Sequence, residues 1–173
     1  MPAAQVPLRR TPVVRVRRIT PGDPLYRQEC ALREEVLLRP LGIDMARFLA
    51  EFPGIEDKLE HYVATVEVSG RERVVGCAGL LPNEPHEGSG RVMQMAVDLQ
   101  RQGEGIGRRL IVAVEVRAFG ELGLSELFCH AQTGATGFYE KLGWAADPET
   151  FVEAGIPHRR VAIRHPDPEE EPA

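Results

Sequence analysis

The sequence predicts a single α/β domain, a mixed and mostly antiparallel central sheet with flanking helices, in the order β-α-(α)-βββ-α-β-α-ββ. Three observations carry this. The chain has 173 residues, close to the roughly 150 of one domain. Three strand-like runs between Tyr62 and Val97 are joined by turns of Gly, Ser, Pro and Asn, the pattern of hairpins between antiparallel neighbours. A long helix with an apolar stripe then leads into another strand, and a strand–helix–strand unit of that length favours a parallel pair.

Taken in order, Val13, Val14, Val16 and Ile19 form a first strand, which Pro21-Gly22-Asp23-Pro24 stops. Leu25 to Leu38 reads as a helix, with Cys30, Leu32 and Val36 among charged neighbours and Pro40 and Gly42 at its end. Ile43 to Leu59 is ambiguous, with a short helix around Met45–Phe52 cut by Pro53-Gly54. The three strand runs are Tyr62–Val68, Arg73–Leu81 and Arg91–Val97. Ile106 to about Leu122 is the long helix. Its apolar positions, among them Leu110, Ile111, Val114 and Ala118, cover the wide arc of a helix lying flat on a sheet. Leu127-Phe128-Cys129 is the next strand. Thr133 caps a short helix in which Ala135, Phe138, Tyr139 and Leu142 recur at helical spacing, and Gly143 closes it. Trp144–Phe151 and Arg159–Ile163 make a final hairpin.

Composition narrows the function. Hydrophobic residues are 43% and charged residues 27%, enough for a core, and no apolar run nears the ~20 residues of a membrane span. A net charge of -5 argues against a nucleic-acid binder, which gathers Lys and Arg on one face. The start, MPAAQVPLRR, lacks the apolar stretch of a secretory signal. Cys30, Cys77 and Cys129 are odd in number, far apart and without histidines at ligand spacing, so reduced thiols in a cytoplasm are expected, with no metal. Charge separates by end: arginines such as Arg9 and Arg10 open the chain, and Asp167 and Glu169–Glu171 close it. These read as a flexible arm over 1–11 and an acidic tail over 166–173, solubilising ends around a domain over 12–165.

The informative stretch runs from Met95 to Leu110. A strand ends, Gly103, Gly105 and Gly107 alternate with other residues, and a helix begins. Glycines let successive backbone N–H groups point one way, and the helix N-terminus adds partial positive charge, which together make a pyrophosphate cradle. Arg108 and Arg109 fall in the first turn, where cations oppose the helix dipole, and an anionic ligand explains them better than helix stability does. A Walker loop is excluded because two arginines follow Gly107, and the dinucleotide fingerprint because position 108 is Arg rather than Gly.

Gln102-Gly103-Glu104-Gly105-Ile106-Gly107 resembles the Gln/Arg-x-x-Gly-x-Gly/Ala loop of the GNAT superfamily of acyl-CoA-dependent N-acetyltransferases. Ala135-Thr136-Gly137-Phe138-Tyr139-Glu140-Lys141-Leu142-Gly143-Trp144 is similar to that family's second signature, and the resemblance covers roughly residues 12–165. The ending Phe151–His158 is similar to that of a small bacterial branch of acyltransferases without an assignable acceptor. The resemblance departs from the family at Gln132, which stands where an Asn often contacts the cofactor, and at Gly134 and Gly137, which weaken the second helix by about 1 kcal/mol each.

The resemblance implies a transferase that moves an acetyl group from acetyl-CoA to a primary amine of a small molecule or peptide, by direct attack. The alternative is an acyl-CoA-binding module without catalysis, acting as a sensor or interaction partner. The pantetheine would lie along the third central strand, hydrogen-bonded by the backbone of Met95, Ala96 and Val97. The pyrophosphate would sit on residues 102–107, namely Gln102, Gly103, Glu104, Gly105, Ile106 and Gly107, with Arg108, Gln132 and Tyr139 completing the cofactor contacts. Tyr139 is the candidate general acid, its phenol pKa of ~10 lying above the ~8.5 of a thiol. Glu67, Asp98, His130 and His158 all lie near the relevant strands, and the residues alone do not identify the base; His130 is a candidate because an ordinary imidazole pKa of ~6.5 suits the task. His158 fits a role in fixing the last hairpin or lining the acceptor pocket. No nucleic acid or membrane partner is expected, and a homodimer is compatible with the reading.

Overall fold

The computed structural model describes residues 12–166. The arm expected over 1–11, and the expected tail beyond Pro166, lie outside them. Strand β1 (Arg15–Ile19) runs into a turn where Asp23 Oδ1 accepts from the Leu25 N–H at 2.9 Å, and α1 (Tyr26–Arg33) follows. That helix widens into a π-type turn over Glu34–Leu38 and tightens over Arg39–Leu41, and Gly42 ends it. Asp44 caps α2 (Met45–Glu51) by accepting from the Arg47 N–H at 2.8 Å. Pro53-Gly54 interrupts the chain, so the ambiguous segment becomes two helices, the second being the single turn α3 (Ile55–Lys58).

Strands β2 (Glu60–Val68), β3 (Arg71–Pro82) and β4 (Ser89–Val97) form an antiparallel meander. Helix α4 (Ile106–Glu115), prolonged by a π-type turn over Val116–Glu121, crosses to β5 (Glu126–Gln132), which pairs parallel with β4. A 3-10 turn over Thr133–Ala135 and α5 (Thr136–Glu140) precede β6 (Ala145–Ala146), β7 (Phe151–Glu153) and β8 (Ile156–Arg164). The sheet order is β1-β2-β3-β4-β5-β8-β6, with β7 also on β8.

Side-chain alternation splits the core into two layers. On one face Tyr62, Ala64, Ala78, Leu80, Val92, Leu127 and Cys129 meet the apolar stripe of α4 and the aromatic residues that follow β5. Leu110, Ile111 and Val114 are wholly buried there, each contributing about 1.5–3 kcal/mol. On the other face Val63, Cys77 and Ala96 meet Leu25 and Leu32 at the α1 end. The layer of α1–α3 therefore covers β2–β4 and leaves that face of β5 and β8 to other partners.

Two irregularities position the site. The β4–β5 ladder holds only from Ser89↔Glu126 to Arg91↔Phe128, although both strands continue beyond it. The sheet thus parts between them. At the same level the β3–β4 register slips between Cys77 and Gly79, and β4 carries one extra residue. Gln94 sits there at φ 54°, a left-handed conformation that costs a non-glycine residue of order 1–3 kcal/mol.

After this bulge Met95 and Val97 pack against the α4 side, and Ala96 faces α1. Two sequence expectations are corrected. Thr133 does not cap α5: no side-chain cap bond is made, and its carbonyl accepts from Thr136 Oγ1 at 3.1 Å. The strand expected over Trp144–Phe151 is broken into β6 and β7, and the tight hairpin is β7–β8 around Ala154-Gly155.

Candidate active site

The parting of β4 and β5 opens a cleft of about 500 Å³. Met95, Ala96 and Val97 line it from β4, and Ala135, Phe138 and Tyr139 from the α5 side. The third wall is the loop into α4. Asp98 Oδ1 turns the chain by accepting from the Gln100 N–H at 2.9 Å, and Arg101, Gln102, Gly103 and Gly105 then pass over the cleft into Ile106, Gly107 and Arg108. Val36, from the π-type turn after α1, also lines it.

The glycines of this loop have different reasons. Gly105, the residue before α4, sits at φ 79°, where a side chain would strain the backbone. A Cβ on Gly107 would stand 2.9 Å from Met95 Cε and 3.1 Å from Phe138 Cζ, so this glycine lets the helix approach the cleft walls. With Gly105 in the capping position no side chain satisfies the first amides of the ten-residue α4, and they are left for an anion. Arg108 is exposed in the wall, and Arg101 adds a second cation that sequence reasoning missed. Uncapped amides, two guanidiniums and a Cβ-free approach fit a pyrophosphate. Arg109 does not join them: its Nη1 donates to the Val14 carbonyl at 2.8 Å and ties α4 to β1.

Tyr139 is buried, and its hydroxyl donates to Met95 Sδ at 3.5 Å. Burial, and after it the neighbouring Cys129, hold its phenol protonated well above the ordinary range. Trp144 packs on Tyr139 at 5.3 Å and donates from its indole N–H to Glu115 Oε1 at 2.7 Å, which ties the segment after α5 to α4. Burial pushes the Cys129 thiol up to about 12, so it is no nucleophile at neutral pH.

His130 stands on the opposite face. Its neighbour Cys129 belongs to the α4-side core with Tyr139, so alternation turns His130 toward the face that α1–α3 leaves open. Nδ1 of His130 lies 3.0 Å from Glu153 Oε1 and 3.2 Å from Arg91 Nη2, with the edge of Phe151 at 4.9 Å. A carboxylate accepts from a protonated Nδ1, whereas a guanidinium donates to a bare one, so Glu153 and Arg91 favour opposite tautomers.

The structure brings most of the expected contact residues together, but Glu104, Gln132 and His130 are not in the cleft wall. Glu104 is exposed with its carboxylate 4.0 Å from Arg101, and Gln132 is exposed at the head of the 3-10 turn. Of the other acid–base candidates, Glu67 is exposed opposite Glu72 on the β2–β3 hairpin and Asp98 is spent on its turn. His158 Nδ1 lies 2.7 Å from its own hairpin carbonyl at Ile156 and serves the β7–β8 turn. Val36 and Phe138 were missed as wall residues; Phe138 lay in the quoted signature, whereas Val36 carries no sequence signal.

Fold and cleft together define a transferase-type α/β domain whose sheet is parted over the start of a glycine-opened helix. Residues 50–164 match the family described as Acetyltransferase (GNAT) domain. A presumed acetyltransferase of Bacillus subtilis (strain 168) is 30% identical over 147 residues, 83% of this chain and 91% of that protein. Among solved structures, a presumed N-acetyltransferase from Lactobacillus plantarum superposes with a TM-score of 0.72 at 21% identity, covering 87% of this chain and 97% of that one. Escherichia coli ElaA gives 0.68 at 15%, covering 87% and 99%. The chain belongs to the GNAT family of acyl-CoA N-acyltransferases, which in general use acetyl-CoA as co-substrate. No helix among the described residues is long and apolar enough to cross a membrane.

Proposed function

We propose that this protein transfers an acetyl group from acetyl-CoA to a primary amine of a small molecule or peptide by direct attack. The observation that carries the reading is the cleft itself, whose lining brings the uncapped start of α4 and Tyr139 together. When bound, acetyl-CoA supplies an activated acyl group and a sulfur leaving group. The amides of Ile106 and Gly107, with Arg108 and Arg101, would hold its pyrophosphate. The backbone of Met95–Val97 would continue as the partner strand that β5 stops providing after Phe128.

Tyr139 holds a proton at the cleft and gives it to a sulfur in place of Met95 Sδ, a weak acceptor that is readily exchanged. His130 takes the proton of the amine from the other face. With Nδ1–H donated to Glu153, its Nε2 lone pair is the free one. Acid and base then flank the parted strands from opposite sides, which keeps the two proton transfers apart. Turnover of acetyl-CoA to free thiol with a panel of amines tests the reading. Tight CoA binding without turnover on any amine replaces it with the non-catalytic binding module.

A further inference from the structure

Beneath α1 lies a closed charge cluster that contributes no residue to the cleft wall. Glu29 is 2% exposed, Arg33 0%, Glu56 8% and His61 1%. Arg33 donates from Nη1 and Nη2 to the two Glu56 oxygens at 2.8 and 2.7 Å. His61 Nδ1 lies 2.9 Å from Glu29 Oε1 and its Nε2 2.8 Å from the Glu56 carbonyl. Nδ1 faces a carboxylate and Nε2 a backbone carbonyl, a setting that favours the doubly protonated ring and holds its pKa above the ordinary imidazole value.

A buried ion cluster of this kind is seldom the most stable way to fill a core. One arm of it leaves the helical layer. Arg33 Nε donates to Gln94 Oε1 at 3.1 Å, at the one residue of β4 held in the left-handed conformation. The Gln94 carbonyl is held as well, accepting from Cys77 Sγ of β3 at 3.5 Å. In a trans peptide the next N–H points opposite to that carbonyl. Fixing the carbonyl of Gln94 toward the Cys77 thiol therefore turns the Met95 N–H away from that thiol, in a residue that lines the cleft.

We propose that Arg33 and Gln94 form a positioning pair that sets the bulge of β4, so that α1 determines how the backbone of Met95–Val97 is presented to the acyl end of the ligand. This rests on reading the cleft as the acyl-CoA site. Arg33 does not touch the ligand; it acts through Gln94. The guanidinium is held rigidly for this by Glu56 on α3, and the Tyr26 hydroxyl donates to the same carboxylate at 2.6 Å.

The test uses Gln94→Asn and Gln94→Glu in the full chain. Asparagine tolerates the left-handed conformation but is one methylene too short for Arg33 Nε, whereas glutamate keeps the acceptor. Amide hydrogen exchange at residues 93–97 is read with and without CoA, beside kcat and the KM for acetyl-CoA. Gln94→Asn is expected to exchange at least tenfold faster at these amides and to lose about tenfold in kcat, with KM within threefold because the pyrophosphate loop is untouched. Gln94→Glu is expected to restore both. Parental exchange in Gln94→Asn overturns the pair, and so does faster exchange with parental kcat. If the parental protein neither binds CoA nor turns it over, the cleft reading fails instead, and the exchange comparison still decides whether Arg33 and Gln94 set the bulge.

Discussion

The Tyr139 hydroxyl donates to the sulfur of Met95 across 3.5 Å, so the phenol of α5 and a side chain of β4 meet over the cleft. A phenol needed for chemistry and one needed for packing differ in a single atom. In Tyr139→Phe the ring keeps its contacts with Phe138 and Trp144. General-acid roles are worth roughly 10²–10⁴-fold, and water recovers part of that. The expected result is a fall in kcat of about tenfold or more while CoA affinity changes by under ~1 kcal/mol. Parental turnover, with chemistry shown to be rate-limiting, makes Tyr139 a core residue.

Gly105 precedes α4 at φ 79° with nothing within 4 Å of a built Cβ. Gly105→Glu therefore has room but brings backbone strain and a negative charge to the uncapped amides. CoA affinity by calorimetry should fall at least about tenfold, the effect of ~1.4 kcal/mol, in a variant shown to be folded. Unchanged affinity moves the pyrophosphate elsewhere.

His130 and Glu153 are predicted to act as a unit. His130→Gln should lower kcat/KM by about 10²–10⁴-fold, the range of a general base. Glu153→Gln, which removes the charge holding the Nδ1 proton, should cost roughly tenfold. Ring-nitrogen NMR of His130 should move toward the Nε2-protonated tautomer in the second variant, as Arg91 gains the bare Nδ1. A tautomer that stays put separates Glu153 from the base.

The His61 cation makes stability depend on pH in a defined direction. Burial pushes its pKa down, but the Glu29 hydrogen bond and charge outweigh this, and the folded-state value is raised above the ordinary one. Below about 6.5 both folded and unfolded chains hold the proton and the contribution is complete. As pH rises above that the unfolded chain gives it up first, so stability drains away until the folded-state pKa is passed. Urea midpoints from pH 6 to 9 should fall in the parental protein, and more shallowly in His61→Gln. Equal slopes remove His61 from the linkage.

How much of this was legible depends on whether the signal was local. The stripe of Leu110, Ile111 and Val114 and the alternation of Gly103, Gly105 and Gly107 are local patterns, and they read through to the helix, the layer it packs on and the loop beside the cleft. Gln94 gave no sign, because glutamine is no marker of a left-handed bulge; its conformation is imposed by β3 and by Arg33, which is 61 residues away in sequence. The His130–Glu153 contact was equally hidden. It needs β8 to bring the β7 hairpin back against β5, a non-local pairing that spacing cannot express. Arg109, grouped with Arg108 by adjacency, went to the other side of the helix for the same reason.

The three-residue ladder between β4 and β5 also bears on self-association. Strand edges inside a sheet are the templates on which chains aggregate, and proteins usually shorten, charge or cover them. Here two edges face each other across the parting, the same arrangement that would recruit a foreign strand. The parted edges are covered by side chains instead: Phe138, Tyr139, the start of α4 and Val36 all line the cleft. The protection of these edges is therefore built from side chains of helices and a loop rather than from a further strand.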